Sequence, residues 1–307
     1  MSGRDCFSCG GVVGQRGREE QVRRWSRRLS RPATYPRIYR LVAGLPLCGI
    51  CLEEWQVIGE RICHGCGRDL DRMERNLERL ERNLDWPEQE DGTAWMLRPG
   101  PRDGGRTGIG SLQPEGDELC ADCTRLPQHT PFPVQNRGLL LYSQGGKDLL
   151  GRYKYRGDER MAAYFASLLA IAFLRSYAHL RFACVTEVPL HHSRLAERGF
   201  NQMELVAREL SRLIDVPYRS LLLRVKDTAK LSKQKGRKER ERSMSGAFSY
   251  TGSQGLWEWR APWSANRLNI LLIDDIYTTG STLRACADAV RKGLGERVQV
   301  YGLTCFR

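Results

Sequence analysis

The stretch ILLIDDIYTTGST, Ile270 to Thr282, decides how this chain is read. It continues an apolar run from Leu268 that ends in adjacent carboxylates, Asp274 and Asp275, before a hydroxyl-rich turn opens a helix. At the end of a strand in an α/β sheet, successive backbone N–H groups and a helix N-terminus converge on one point and form an anion site. Gly280 lets the backbone approach the anion closely, and Thr278, Thr279, Ser281 and Thr282 add hydroxyl donors. Carboxylates beside such a cradle would repel a phosphate, so Asp274 and Asp275 must serve another part of the ligand: vicinal hydroxyls or a divalent cation. A ribose 5-phosphate with its bound metal supplies both. An ordinary capped helix explains Thr279 or Ser281, but not two acids, four hydroxyls and a glycine together. The triphosphate-binding pattern G-x-x-x-x-G-K-[ST] is absent here.

Outward from this segment, apolar strands alternate with periodic helices after Pro133. Strands are predicted over 138–142, 183–190, 218–223 and 246–250, and helices over 158–177 and 201–213. In the second helix Leu205, Val206, Leu210 and Leu213 share one face. The segments 268–276, 281–292 and 297–306 read as strand, helix and strand, the unit that builds a parallel sheet. An α/β domain is therefore expected over 134–307.

The remaining 1–133 is expected to be a cysteine-rich metal module. Eight of the eleven cysteines form four C-x-x-C units: Cys6/Cys9, Cys48/Cys51, Cys63/Cys66 and Cys120/Cys123. The two-residue spacer lets both thiolates of a unit face one ion, and two units complete a tetrahedral zinc site. The expectation is about two structural Zn²⁺ ions, since sites closed by four thiolates leave no position for chemistry. Pairing Cys6/Cys9 with Cys48/Cys51 and Cys63/Cys66 with Cys120/Cys123 is the simplest arrangement, and an interleaved one has the same signature. Disulfides or a thioredoxin-like redox motif are the competitors. His64 is not needed as a ligand, and Cys184, Cys286 and Cys305 fall on apolar faces as core residues.

Three stretches of this module read as insertions rather than core. Residues 10–40 are rich in arginine and suggest a loop or surface helix. Over 69–84, Met73, Leu77, Leu80 and Leu84 fall on one helical stripe, suited to packing against a neighbouring module or a partner helix. Residues 85–116 concentrate Pro and Gly, and a flexible segment is expected there.

A formal charge of +13 would attract phosphate-rich partners, nucleic acid among them, although solvated surface Arg and Lys produce the same number. No apolar run approaches the ~18 residues of a membrane span. The amino-terminal residues lack a signal-peptide pattern, so the cytoplasm is the expected location.

ILLIDDIYTTGST resembles the phosphoribosyl pyrophosphate motif of type I phosphoribosyltransferases. Upstream, YKYRGDERMAAYFASLLA (153–170), VPLHHSRLAERGFNQMELVAREL (188–210) and GAF (246–248) are similar to the ComF family. Its bacterial members join an N-terminal zinc module to a phosphoribosyltransferase-like domain and are associated with uptake of transforming DNA. The resemblance implies an α/β fold: a type I phosphoribosyltransferase-like parallel sheet with helices on both faces, plus a small four-cysteine zinc-ribbon-type module. It places Asp274 and Asp275 at the ribose hydroxyls and Mg²⁺-linked water, and Thr278, Thr279, Gly280, Ser281 and Thr282 at the 5-phosphate. Residues 190–195, with His191 and Arg194, take the place of a pyrophosphate loop, and Arg198 belongs to the family's R-G-F-N-Q. The basic loop 226–242 corresponds to a hood over pyrophosphate, with Arg237 and Arg240 as candidates; a solvated charge run and an electrostatic contact with single-stranded DNA are the other readings of the same charges. Two departures stand out: Gln234 is displaced and Ser243 replaces an asparagine before GAF, and Glu187 stands where the strand is usually apolar.

Three roles follow as expectations. A ComF-like protein would handle single-stranded DNA while binding a phosphoribosyl pyrophosphate-type ligand, with a helicase or channel protein as partner and recruitment to the inner face of the membrane. An active Mg²⁺-dependent phosphoribosyltransferase would displace pyrophosphate with a nitrogen nucleophile. A non-catalytic phosphoribosyl sensor would keep the fold without the chemistry.

Overall fold

Four parallel strands form the main sheet of this computed structural model, in the order β1 (Gln135–Leu140), β6 (Val298–Phe306), β5 (Leu268–Ile276) and β2 (Cys184–Glu187). The structure describes residues 5–14, 17–82, 118–125, 134–156, 158–227, 242–252, 268–295 and 297–307. Register runs from Leu268 opposite Val298 to Ile276 opposite Phe306, with Glu187 opposite Ile273 and Leu140 opposite Phe306. All four strands therefore end on one side, where connections open into the solvent and ligands of such sheets bind.

The sequence of β5 shows why it lies inside the sheet. Leu271 and Ile273 face one core cluster and Ile270 and Leu272 the other, so both faces are apolar, as a strand covered on two sides requires. On the first face lie α7 (Met161–Ser176) and α9 (Gln202–Ile214), which pack on each other and on the strands. On the second lies α10 (Ser281–Leu294), with Leu283, Cys286, Ala287 and Val290 inward. This is the α/β sheet that the alternation predicted, with the helices on both faces that the family resemblance implied. Helices α6 (Gln144–Arg156) and α8 (His192–Arg198) follow β1 and β2, and a two-stranded ribbon, β3 (Leu222–Arg224) with β4 (Phe248–Tyr250), lies against α10.

The amino-terminal residues form α1 (Arg18–Leu29), α2 (Tyr35–Gly44), α3 (Gly49–Glu54), α4 (Leu70–Arg82) and a single turn, α5 (Ala121–Thr124). One expectation fails here. The 18–38 part of that stretch is not peripheral: Val22, Trp25, Leu29 and Ile38, with Val42 just beyond, are buried in the same core cluster as α7. The arginines mask this because they occupy the outer face of helices whose few apolar residues all point inward. Arg18 itself is structural, donating to the carbonyls of Ala43 and Leu45 at 2.8 Å and of Leu47 at 2.9 Å, which satisfies the open end of α2. Trp25 Nε1 donates to Leu52 O at 2.7 Å.

The same segment seals the sheet edge. Ile58 N donates to Leu139 O at 3.0 Å, Leu141 N to Gln56 O at 2.8 Å and Asn136 N to Gly65 O at 2.8 Å, so β1 presents no open ladder along these positions. The stripe of α4 is only partly used: Met73 packs against the second core cluster while Leu77 is 49% exposed. Leu84, residues 85–116, and Arg237 and Arg240 of the expected hood lie outside the described residues.

Candidate functional site

The two acids of the opening motif sit at the carboxyl end of β5. Asp275 N donates to Asp274 Oδ1 at 2.9 Å, which fixes the turn. Burial, and then the neighbouring Asp275 carboxylate, raise the Asp274 carboxyl to about 8. Asp275 is paired with Lys154 Nζ from α6. Burial disfavours that ammonium, but the two carboxylates outweigh burial and hold its pKa above the usual lysine value. Lys154 lies within the YKYR segment, yet its role was not legible: helix periodicity marks it only as a charged residue between two tyrosines.

Beyond the acids the chain turns through Tyr277, Thr278 and Thr279 to Gly280, whose φ of 74° is left-handed. Gly280 is the N-cap of α10 and has no side chain to occupy the first-turn N–H groups. Thr279 Oγ1 and Ser281 Oγ are 3.0 Å apart, Thr282 Oγ1 reaches Met244 Sδ at 3.6 Å, and Arg284 Nη1 donates to Thr279 O at 3.0 Å. A Cβ on Gly280 would lie 2.2 Å from the Tyr277 hydroxyl, so glycine is required both by φ and by space.

Two further segments converge on this strand end. After β2, Val188 N donates to Ile273 O at 3.0 Å and leads into His191, the N-cap of α8. His191 is buried, with Nδ1 2.9 Å from Ser193 Oγ and 3.6 Å from Asp227 Oδ2; Ser193 Oγ donates to that same carboxylate oxygen at 2.8 Å. The Asp227 carboxyl is held below its usual value by the Ser193 hydroxyl, and also by His191, Arg194 and Arg224. Arg224, on β3, is buried over the Phe248 ring; burial, then Arg194, lower its pKa, while Asp274 acts to raise it. Arg198 ends α8, where Gly199 turns left-handed at φ 79°. Its Nη1 donates to Gln202 Oε1 at 3.2 Å and its guanidinium lies 5.4 Å from the Tyr155 ring centre, while its buried Nε finds no partner among the described residues. Asn201 caps α9 by accepting from Met203 N at 3.2 Å, as its position suggests. Lys154, Arg224 and Asp227 are thus the members of this constellation that sequence reasoning missed. Each comes from an element distant along the chain.

The eight paired cysteines gather into two groups of four, Cys6, Cys9, Cys48 and Cys51, and Cys63, Cys66, Cys120 and Cys123, with all sulphurs of a group within 4.8 Å of one another. This is the sequential pairing, not the interleaved one. Four thiolates about 2.3 Å from one zinc ion stand about 3.8 Å apart. Cys9 Sγ and Cys48 Sγ are 3.8 Å apart and Cys66 Sγ and Cys120 Sγ 3.6 Å, so both groups could hold a metal ion of that size. Burial works against a thiolate at Cys6, but backbone N–H groups, including that of Cys48 at 3.3 Å, bring its pKa down to about 7. Gly10 and Gly67 follow their units with φ of 77° and 69°. His64 lies outside the second group, its Nε2 2.9 Å from Gln135 Nε2. Cys184, Cys286 and Cys305 are buried away from both groups.

The second group abuts the 278–282 loop. Arg307 Nη2 donates to Cys66 Sγ at 3.1 Å and Nε to Cys66 O at 3.0 Å, while Nη1 reaches Thr278 O at 3.4 Å. No helix among the described residues is long and apolar enough to cross a membrane.

No family model matches the chain. Among curated proteins, it is 34% identical over 193 residues to the competence protein ComFC of Bacillus subtilis, an alignment spanning 62% of this chain and 72% of that protein. It is 30% identical to the competence protein ComFC of Streptococcus pneumoniae over 61% of this chain and 81% of that protein, and 32% identical to competence protein F of Haemophilus influenzae over 50% and 66%. With a parallel sheet, an acidic strand end that feeds a glycine-capped helix, two four-cysteine groups and these relatives in three bacteria, the chain belongs to the ComF family.

Proposed function

We propose that the chain serves competence, handling single-stranded DNA taken up during natural transformation, and that its 274–282 loop binds a phosphoribosyl pyrophosphate-type ligand with Mg²⁺. The observation that carries the ligand reading is the division of labour at the end of β5. Lys154 pairs with Asp275, whereas Asp274 makes no ion pair among the described residues. A carboxyl whose proton is held to about pH 8 by burial and by Asp275 is one that an incoming divalent ion would deprotonate and balance, beside the ribose hydroxyls, and the first-turn N–H groups beyond Gly280 suit the 5-phosphate. Mg²⁺ would supply charge neutralisation at the phosphates when bound. The two four-cysteine groups hold one zinc ion each, in a structural role, and their surface docks a helicase or channel partner on the inner side of the membrane.

Titration calorimetry tests the ligand. Phosphoribosyl pyrophosphate should bind only with Mg²⁺, and Asp274→Asn with Asp275→Asn should abolish binding; unchanged binding by that variant overturns the assignment. Filter binding of single-stranded oligonucleotides across a salt series should show a steep slope, and a flat one removes the DNA role. A second reading, catalysis, is favoured by Arg224, whose charge acts on Asp274 and which stands with His191 and Arg194 around Asp227, where cations would stabilise a departing pyrophosphate. A pyrophosphate-release screen with bases and amines as acceptors decides it.

A further inference from the structure

One arginine side chain joins the second four-cysteine group to the anion loop. Arg307 grips Cys66 by both its sulphur, at 3.1 Å, and its carbonyl, at 3.0 Å, and reaches Thr278 O at 3.4 Å. Its guanidinium also lies 4.7 Å from the centre of the Tyr277 ring. Tyr277 is buried, and its hydroxyl occupies the space beneath Gly280, 2.2 Å from where a Cβ would stand. A contiguous set of contacts thus runs from Cys66 through Arg307 and Tyr277 to the glycine on which the loop pivots. Around it lies a cleft of about 160 Å³ lined by both the cysteines and the loop.

The charges explain why this set is sensitive to the metal. Four thiolates around a divalent ion carry a net double negative charge. Arg307 and Arg68 stand beside it, Arg68 bound to Asp122 at 2.6 Å. A bound ion fixes the four sulphurs and keeps Cys66 Sγ where Arg307 can donate to it. Without the ion the contacts left between the two units, His64 N to Glu118 O at 2.8 Å, Cys120 N to Cys63 Sγ at 3.3 Å and the Arg68–Asp122 pair, do not fix the position of Cys66 Sγ, and Arg307 loses the anchor that orients it toward Thr278 and Tyr277. Of the first group, Cys6, Cys48 and Cys51 lie in the core cluster on the opposite face, and among the described residues no such link joins them to the 278–282 loop.

We propose that Arg307 and Tyr277 are positioning residues through which metal occupancy of the Cys63, Cys66, Cys120 and Cys123 group sets the conformation of the 278–282 loop and, with it, affinity for the phosphoribosyl ligand. The affinity part rests on the ligand reading above; the conformational part does not. Linkage makes the effect reciprocal: a ligand that favours the ordered loop must favour retention of the metal by the same factor.

Three measurements on the full chain test this. Hydrogen exchange of the 278–282 amides, without ligand, should accelerate in Arg307→Met while the amides of α7 and α9 keep their protection. Binding of Mg²⁺ and phosphoribosyl pyrophosphate should weaken about tenfold in Arg307→Met, within the usual range of coupling between sites, and recover partly in Arg307→Lys. In the unsubstituted protein, phosphoribosyl pyrophosphate should slow loss of one of the two zinc ions to a chromogenic chelator by a similar factor, and should not do so in Arg307→Met. Cys9→Ser, which opens only the first group, should leave loop exchange unchanged. Loop exchange and chelation kinetics indifferent to Arg307→Met overturn the coupling. If the unsubstituted protein binds no phosphoribosyl pyrophosphate while loop exchange still depends on Arg307, the coupling stands and the ligand reading falls.

Discussion

Glu187 is the last residue of β2 and is buried, with Tyr218, Ser220 and Glu204 of α9 as its polar neighbours. Its Oε1 accepts from Ser220 Oγ at 3.4 Å and its Oε2 has no partner among the described residues. Burial raises its pKa from 4.5 to about 7, against the smaller opposing effect of nearby hydrogen-bond donors. The folded protein therefore keeps a proton that the unfolded chain releases, so the contribution of Glu187 to stability is highest below pH 4.5, falls as pH rises to about 7 and then levels. At about 1.4 kcal/mol per pH unit, that interval is worth about 3 kcal/mol. Glu187→Gln removes the titration and keeps the shape. Urea unfolding of both proteins at pH 5 and pH 8.5 should show the variant gaining about 3 kcal/mol on the parent between the two, whatever its constant offset. Parallel stability profiles would mean that Glu187 is solvated or paired in the native state, and the reasoning from burial would fail.

Lys154→Met leaves Asp275 without its cation and should cost about 3 kcal/mol in urea unfolding, because a buried charge stripped of its partner is expensive. Combining it with Asp275→Asn should cost less than the two single changes summed; strict additivity would show that the pair is not coupled. Gly280→Ala forces a side chain into a left-handed backbone and onto the Tyr277 hydroxyl, so calorimetry should find the loop's ligand binding lost and melting lowered by a few degrees. Retained affinity would mean that the loop does not pivot there. Metal analysis of the purified chain should find two zinc ions, falling to one in Cys123→Ser.

The strand, helix and strand of β5, α10 and β6 were legible in periodicity because they follow one another and each needs only its own pattern to be recognised, whereas α6 and α8 were not predicted. Where it was not legible, composition misled. Residues 10–40 look like an arginine-rich insertion, yet a helix buries only one stripe, and Val22, Trp25, Leu29, Ile38 and Val42 suffice to seat α1 and α2 in the core. The stripe on α4 misleads in the other direction: its spacing is regular, but Leu77 faces solvent. Periodicity states which residues share a face and says nothing of what that face meets.

For the site, sequence alone determined the pieces that are local: four C-x-x-C units, two adjacent acids, a hydroxyl-rich turn and its glycine. Their chemistry is set by neighbours a few residues away, so spacing suffices to read it. The tertiary structure alone decided which C-x-x-C units pair, that Lys154 of α6 neutralises Asp275, that Arg224 and Asp227 join His191, and that Arg307 ties Cys66 to Thr278. Those partners are separated by tens to hundreds of residues along the chain. Charge and hydrogen bonding act over a few ångströms of space, and only the fold brings such residues within that distance.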